Sequence, residues 1–252
     1  MKIVTINANK WLQSLNFTLG AVAFILILAL VLQGSSLYFS NKALYAEEVA
    51  AITDNKTIII DAGHGGEDCG TIGANGKYEK DLNLALAFTL GQMLTDKGYA
   101  VVYTRTEDKL LYTEEENIKG IRKISDLKNR CKIADEYPGA IFISIHMNSF
   151  TDPKYSGTQV YYSGNSEHSR QLAQKVQSNV VNTLQKDNNR TVKEGKSIYI
   201  LKNIENVGIL IECGFLSNPE ECEKLSEKEY QNKLCFSIMC AMIEYIENKN
   251  TV

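Results

Sequence analysis

The sequence predicts an α/β fold: an open, mostly parallel or mixed sheet with helices on both faces, preceded by one N-terminal apolar helix. Two patterns support this prediction. Short apolar runs such as "TIIID" and "AIFISIH" alternate along the chain with longer segments whose apolar residues recur every three or four positions. Such alternation of strands and helices is typical of α/β sheets. Ahead of these segments lies a run without any charged residue, residues 15–32.

The N-terminal apolar run has the length of a short transmembrane helix, since its 18 residues lie at the lower edge of what spans a bilayer. Lys2 and Lys10 precede it without any acidic residue, which by the positive-inside rule places the N-terminus in the cytoplasm and the rest of the chain outside. A cleaved signal peptide is the alternative, and it would give a secreted protein. We therefore predict a signal-anchor or signal peptide over residues 1–35, which brings the chain to the membrane, and a tether over residues 36–55.

The composition narrows the choice of partners. Of the 252 residues 44% are apolar and 23% are charged, which is ordinary for a globular chain with a real core. The net charge of −3 gives no reason to expect nucleic acid as a partner, and we predict none.

The cysteines show no CxxC spacing, so we interpret them as free thiols that mostly pack as small apolar residues. They are Cys69, Cys131, Cys213, Cys222, Cys235 and Cys240.

The elements after the tether follow one another in a regular order. Apolar runs predict strands at 57–61, 99–105, 140–146, 157–162, 197–201 and 207–213. Helical periodicity predicts helices at 79–98, 125–137, 167–185 and 226–248. Ser125 is the expected N-cap of the second of these helices.

Polar residues stand where three of the predicted strands end. Ligands of open α/β sheets bind beyond the carboxyl ends of the strands, so these residues are the first candidates for a site. Asp61 and His64 follow the first strand, His146 ends the strand "AIFISIH", and Glu212 follows "VGILI". The glycine-rich loop around His64 does not fit a phosphate-binding loop, because it lacks the lysine and hydroxyl of GxxxxGK[ST].

Two histidines and one carboxylate form a common ligand set of hydrolytic zinc enzymes. His64 and His146 can reach the same edge of the sheet, and the loop before Glu79 can bring the start of the first helix back to His64. Each residue also has a purely structural interpretation. His64 could belong to a turn, His146 could be a core histidine, and Glu79 could interact with the helix dipole.

Glu212 is the most unusual of these residues, because burying a carboxylate after an apolar run is costly unless it is paired or lies near a cation. An ion pair with Arg105 or Arg130 would be a structural explanation. A general base whose pKa is raised by burial would be a functional one. The neighbouring Cys213 should face the other side of the strand, which disfavours a thiol mechanism.

Several motifs together resemble the zinc-dependent N-acetylmuramoyl-L-alanine amidases of the Amidase_3 type. They are "DAGHGGEDCGTIGANGKYEKDLNLALA", "TR", "DLKNRCKIAD", "FISIHMNS" and "ILIECGFLSN", and they occur in the order found in that family. The resemblance implies a catalytic domain over residues 56–249 and a Zn²⁺ ion held by His64, Glu79 and His146. It also assigns the catalytic glutamate of the motif E-x-G-F to Glu212.

The implied reaction is hydrolysis of the peptidoglycan amide between the lactyl group of N-acetylmuramic acid and L-alanine, with water activated by zinc and Glu212 as general base. The chain is most similar to sporulation members, which implies spore cortex maturation through muramic δ-lactam formation, outside the cytoplasm, and leaves room for an unknown activator protein. Asp61 would either accept a hydrogen bond from a ligand histidine or cap the turn. Asn148 would bind substrate amide groups. A catalytically silent wall-binding protein and another zinc peptidase of the stem peptide are the alternatives.

Overall fold

The structure is a computed structural model that describes residues 57–249 and four isolated positions before them, 19, 28, 29 and 33. Apart from these positions, the predicted signal-anchor over residues 1–35 and the tether over residues 36–55 lie outside the described residues. Within the part of the chain that is described, no helix has both the length and the apolar character needed to cross a membrane.

Residues 57–249 form a six-stranded mixed sheet. The strands are β1 (Thr57–Ala62), β2 (Ala100–Tyr103), β3 (Ile141–Asn148), β4 (Gln159–Tyr162), β5 (Lys193–Glu194) and β6 (Val207–Phe215). Their order is β2-β1-β3-β6-β4-β5. Strands β2, β1, β3 and β6 run parallel, whereas β4 is antiparallel to β6 and parallel to β5. The predicted sheet type is confirmed.

Helices cover both faces of this sheet. They are α1 (Glu79–Asp96), α2 (Arg122–Asp135), α3 (Glu167–Thr183), α4 (Tyr199–Asn203), α5 (Pro219–Ser226) and α6 (Lys228–Lys249). A short 3-10 turn spans Glu114–Glu116. One apolar core joins α1, α3 and α6 to the first face, and a smaller core joins α2 and α4 to the second. The predicted placement of helices on both faces is therefore correct.

Side chains alternate between the two faces of the sheet along each strand, and the polar residues at the strand ends lie on the second face. Ile58 and Ile60 enter the larger core, whereas Ile59 enters the smaller one and Asp61 follows it on the same side. In the parallel ladder β3–β6, His146 lies beside Glu212. The carboxyl ends of the central strands thus carry their polar side chains to one edge of one face.

Two sequence-based expectations about the elements are wrong. The segment 197–201 was expected as a strand, but residues Tyr199–Asn203 form helix α4 and bury Ile200 and Leu201. Its five-residue apolar pattern is compatible with a strand or with a helix. The segment is helical because it packs against the second face of the sheet. Helix α2 begins before Ser125, with Ile121 at the N-cap position, and the Ser125 N–H donates to the Ile121 carbonyl at 3.0 Å.

The closing helix, predicted over 226–248, is confirmed as α6 (Lys228–Lys249), and the short helix α5 that precedes it was not predicted. Asn218 caps α5 by accepting a hydrogen bond from the Glu221 N–H, and Pro219 occupies the first turn. A separate helix, α6, begins at Lys228. The two-residue strand β5 has no apolar pattern, and both of its residues are exposed.

The cysteine prediction is confirmed for residues 57–249, which contain all six cysteines, because every one of them is a free thiol. Cys213 is fully buried in the larger core, on the face opposite to Glu212. Burial raises the pKa of the Cys213 thiol well above its usual range, so this group stays neutral.

Candidate metal and catalytic site

The loop after β1 turns back on itself and brings α1 to the sheet edge. His64 has φ of 62°, a left-handed conformation that is uncommon for a residue with a side chain. The backbone of Gly65 pairs with that of Asp68, and the Glu79 N–H donates to the Thr71 carbonyl at 2.9 Å. The first residue of α1 therefore lies beside His64 although fifteen positions separate them.

The three predicted ligands meet at this edge. Glu79 Oε1 lies 3.1 Å from His64 Nε2 and 3.1 Å from His146 Nδ1. One potential ligand atom from each residue falls within 4.8 Å of the others. The two imidazole rings are edge to face, with centroids 4.9 Å apart. The structure thus brings together the two histidines and the carboxylate that the sequence singled out.

Backbone groups hold the Glu79 carboxylate in place. Glu79 Oε1 accepts a hydrogen bond from the Met147 N–H at 3.0 Å, and Oε2 accepts one from the Thr71 N–H at 2.8 Å. Burial alone raises the pKa of this carboxyl, but the contacts with His146 and His64 outweigh it and hold the pKa well below the usual range. Glu79 is therefore ionised and fixed before any ion binds.

Asp68 is a site residue that sequence reasoning missed. Its Oδ2 lies 3.0 Å from His64 Nδ1, on the side of the ring away from Glu79, although the pair is not aligned as a hydrogen bond. Lys123 Nζ lies 3.0 Å from the same oxygen. Burial lowers the pKa of His64, but Asp68 and Glu79 together raise it to about 9. A carboxylate behind a ligand histidine fixes the ring orientation.

Glu212 lies beside this cluster without a structural partner. Although the residue is partly exposed, its Oε2 is enclosed, and nothing in residues 57–249 forms a hydrogen bond with that atom. Burial raises the pKa of Glu212 to about 7. An ion pair with Arg105 or Arg130 is the wrong explanation, because those arginines bind other groups.

Asp61 does not bind a histidine, so this part of the sequence-based hypothesis is corrected. Its two oxygens accept hydrogen bonds from Arg130 Nη1 at 2.6 Å, Thr104 Oγ1 at 2.7 Å and Ser144 Oγ at 2.6 Å. All four residues are buried. Asp61 instead balances the charge of Arg130 behind the site.

Two buried arginines hold the backbone of the ligand loop. Arg130 donates to the carbonyl oxygens of Ala62 and His64, each at 2.8 Å. Arg105 donates to Ala62 at 2.8 Å and to Gly63 at 3.0 Å. Because three successive carbonyls are satisfied in this way, the left-handed conformation of His64 is held by its surroundings.

Asn148 lies two residues beyond His146 on β3 and lines a cavity next to the cluster. Its Oδ1 accepts a hydrogen bond from the Ser149 N–H at 2.8 Å, which leaves the amide nitrogen for other partners. A contact between Asn148 and substrate amides stays a prediction.

The cluster fits a zinc ion. Ligands about 2.0–2.1 Å from a tetrahedral ion lie roughly 3.3 Å from one another, close to the 3.1 Å of both observed nitrogen–oxygen pairs. The donor set of two imidazoles and one carboxylate also leaves a fourth position for water. A Cβ at Gly63 would lie 2.2 Å from the His146 ring, so the backbone is packed directly against one of the ligands.

Gly63→Ala is expected to lower zinc affinity at least about tenfold, by analogy with losses of groups that orient ligands. The added methyl group displaces the His146 ring from Glu79, and competition with a chromophoric chelator measures the loss. Gly164→Ala is the matched control, since its methyl group meets only the end of the exposed Glu194 side chain. Equal zinc affinity in both variants would contradict the assigned position of His146.

Comparison with known proteins decides the family. Residues 58–244 match the model of the Amidase_3 family, described as N-acetylmuramoyl-L-alanine amidase. The chain belongs to the Amidase_3 family. It is accordingly an N-acetylmuramoyl-L-alanine amidase, a cell-wall hydrolase of peptidoglycan.

Relatives of this amidase match between about three quarters of the chain and nearly all of it. The germination-specific N-acetylmuramoyl-L-alanine amidase of Bacillus subtilis is 34% identical over 241 residues, which cover 96% of this chain and 98% of the relative. The structure of the CwlD amidase of Clostridioides difficile, solved with the GerS lipoprotein, is 39% identical, with a TM-score of 0.73 over 77% of this chain and 99% of that one. An N-acetylmuramoyl-L-alanine amidase of Clostridium difficile 630 is 31% identical, with a TM-score of 0.68 over 78% of this chain and 100% of that one. The predicted membership of the Amidase_3 type is confirmed, and the chain is similar to CwlD within it.

Proposed function

We propose that this amidase depends on a zinc ion held by His64, Glu79 and His146, and that Glu212 is its general base. The convergence of the three ligands at 3.1 Å carries the proposal, together with the unpartnered Oε2 of Glu212 beside them. Surface acids are common without any ion, but this carboxylate is buried and lies between two histidines. A catalytically silent protein or a peptidase is not favoured by any feature of the site.

Zinc, when bound, would supply Lewis-acid polarisation of the scissile carbonyl and would lower the pKa of a water molecule. The protein contributes the proton transfers. Glu212 takes a proton from the attacking water as the carbon–oxygen bond forms, and returns it to the leaving amine as the carbon–nitrogen bond breaks. The products are a muramic acid carboxylate and a stem peptide with a free L-alanine amine.

The rate of hydrolysis is expected to fall at acid pH, because Glu212 acts only as a carboxylate. Burial raises its pKa to about 7 in the protein alone, and a cation at the three ligands would lower it from there. Below the resulting pKa, kcat/KM should fall about tenfold per pH unit. The pH profile is measured with zinc content checked at each point. If kcat/KM of Glu212→Gln fell at acid pH in the same way as that of the wild type, the titrating group would be a residue other than Glu212.

We further propose that the substrate is spore cortex peptidoglycan and that the products feed muramic δ-lactam formation. The name of the Bacillus subtilis relative and the likeness to CwlD support this role. The complex of CwlD with GerS supports a lipoprotein activator, and the apolar residues 15–32 support attachment to the membrane on its outer side.

Complementation tests the spore role. In a spore-forming host that lacks its own germination-specific amidase, this chain should restore muramic δ-lactam to cortex muropeptides, whereas Glu79→Ala should not. Muropeptide analysis by mass spectrometry measures the lactam. A wild-type chain that is exported and active on peptidoglycan but restores no lactam would contradict the spore role.

A further inference from the structure

The cavity lined by Asn148 adjoins the site on the side of Glu212. It has a volume of about 250 Å³ and includes Asn148, Gln159 and Tyr161 in its lining. Gln159 is the ladder partner of Glu212 in the antiparallel pair β4–β6, and Tyr161 follows two residues later on the same face. The cavity therefore begins one strand away from the proposed base.

Two cations without carboxylate partners face this cavity. Arg190 Nε donates to the Ser156 carbonyl at 2.8 Å, whereas its two Nη groups make no hydrogen bond or ion pair within residues 57–249. Lys193, the ladder partner of Tyr161, is exposed and likewise has no ion pair in the described part of the chain. The carboxylate of Glu221 forms no ion pair with Arg190 or Lys193; it accepts hydrogen bonds from the backbone of Gly157 and Phe215, and the charge of Arg190 acts on it only at longer range.

Aromatic rings fix the arginine and form the apolar wall. The Arg190 guanidinium carbon lies 4.4 Å from the Phe215 ring centroid and 6.0 Å from that of Tyr155. Tyr155 also stacks edge to face on Phe150 at 4.9 Å, although more than a third of each side chain is exposed. A stacked guanidinium is held in one orientation and presents its fork for bidentate binding of a planar anion.

We propose that this cavity binds a free carboxylate of the stem peptide, on the peptide side of the scissile amide, through Arg190 and Lys193. This subsite rests on the proposed function of the metal cluster. Two unpaired cations beside an apolar wall suit an amino-acid carboxylate, since Arg–carboxylate pairs are charge-assisted and geometrically specific. Sugar hydroxyls carry no charge that would use these cations.

The position of Glu212 assigns the cavity to the peptide side. Glu212 returns its proton to the leaving amine, so the L-alanine nitrogen must lie next to Glu212 and not next to His64. The chain continues from L-alanine toward Gln159 and Tyr161, which lead into the cavity. The glycan then extends from the opposite side of the metal cluster.

Paired substrates test the subsite. Two synthetic N-acetylmuramoyl peptides differ only at the residue after L-alanine, which carries either a free carboxylate or the corresponding carboxamide. The full-length zinc-loaded protein is expected to hydrolyse the carboxylate with about 10- to 100-fold higher kcat/KM, the range of one charge-assisted hydrogen-bonded contact. Arg190→Gln should lower kcat/KM for the carboxylate substrate alone, so that the ratio falls toward unity. Arg190→Lys should retain part of the preference.

A control variant separates specificity from general effects. Lys97→Gln also removes one positive charge, but Lys97 follows the far end of α1, the helix that begins at Glu79. In Lys97→Gln, the ratio of kcat/KM for the carboxylate substrate to that for the carboxamide substrate should equal the wild-type ratio. A wild-type ratio near unity, or a ratio unchanged in Arg190→Gln, would overturn the subsite while leaving the amidase mechanism intact. Failure to hydrolyse either peptide would contradict the proposed function, and the subsite with it.

Discussion

Glu212→Gln is expected to lower kcat about 10²- to 10⁴-fold, the usual contribution of a general base. Gln has nearly the same shape as Glu but cannot take a proton from the attacking water. Zinc content should stay at the wild-type level, because Glu212 is not among the three clustered ligands. Release of stem peptides from purified peptidoglycan measures the loss. More than a tenth of the wild-type rate in a zinc-loaded Glu212→Gln protein would contradict the assignment.

Two controls distinguish a loss of kcat caused by the missing general base from one caused by disturbed folding. Folding raises the pKa of Glu212, so its ionised form disfavours the folded state at pH above about 7. Glu212→Gln without metal should therefore be at least as stable as the wild type at pH 8 by urea unfolding. Cys213→Ala changes the adjacent residue on the buried face and should keep a near-normal kcat.

Arg130→Met is expected to destabilise the protein by about 3–5 kcal/mol, the usual cost of removing one partner of a buried ion pair. Arg130 is 1% exposed and Asp61 is fully buried, so the variant leaves an ionised carboxylate without its cation. The carbonyls of Ala62 and His64 lose donors as well. Urea unfolding of the metal-free protein measures the change.

Arg122→Met is the matched control, because it removes an arginine of the same helix whose 2.6 Å pair with Glu67 is partly exposed. Its cost should be below about 1 kcal/mol. Adding Asp61→Asn to Arg130→Met should cost less than the sum of the single changes, since the two residues interact directly. Equal costs for Arg130→Met and Arg122→Met would show that the buried network does not hold the ligand loop.

The central part of the fold and of the site is predictable from the sequence because local rules and global packing agree there. The runs before Asp61, His146 and Glu212 are buried on both faces, so their period and length identify strands. Polar residues directly after such runs must lie at the carboxyl edge of the sheet. His64, Glu79 and His146 meet there, as the order of elements led us to expect.

Other features depend on contacts between distant segments, which no local pattern encodes. The "SIYIL" segment has an apolar pattern compatible with a strand, and only its packing against β6 and α2 makes residues Tyr199–Asn203 helical. Asp68 lies behind His64 because of the left-handed turn at His64, whereas sequence proximity alone favoured Asp61 for that position. Arg130 reaches Asp61 across 69 positions.

Parallel determination of zinc content and stem-peptide release, before and after chelation, tests the central claim most directly. We expect one zinc per chain in the active protein, no release after chelator treatment and recovery when one equivalent of zinc is restored. Mass spectrometry should identify the released peptides as intact and beginning with L-alanine. Undiminished release of those peptides from protein shown to contain no metal would contradict the account.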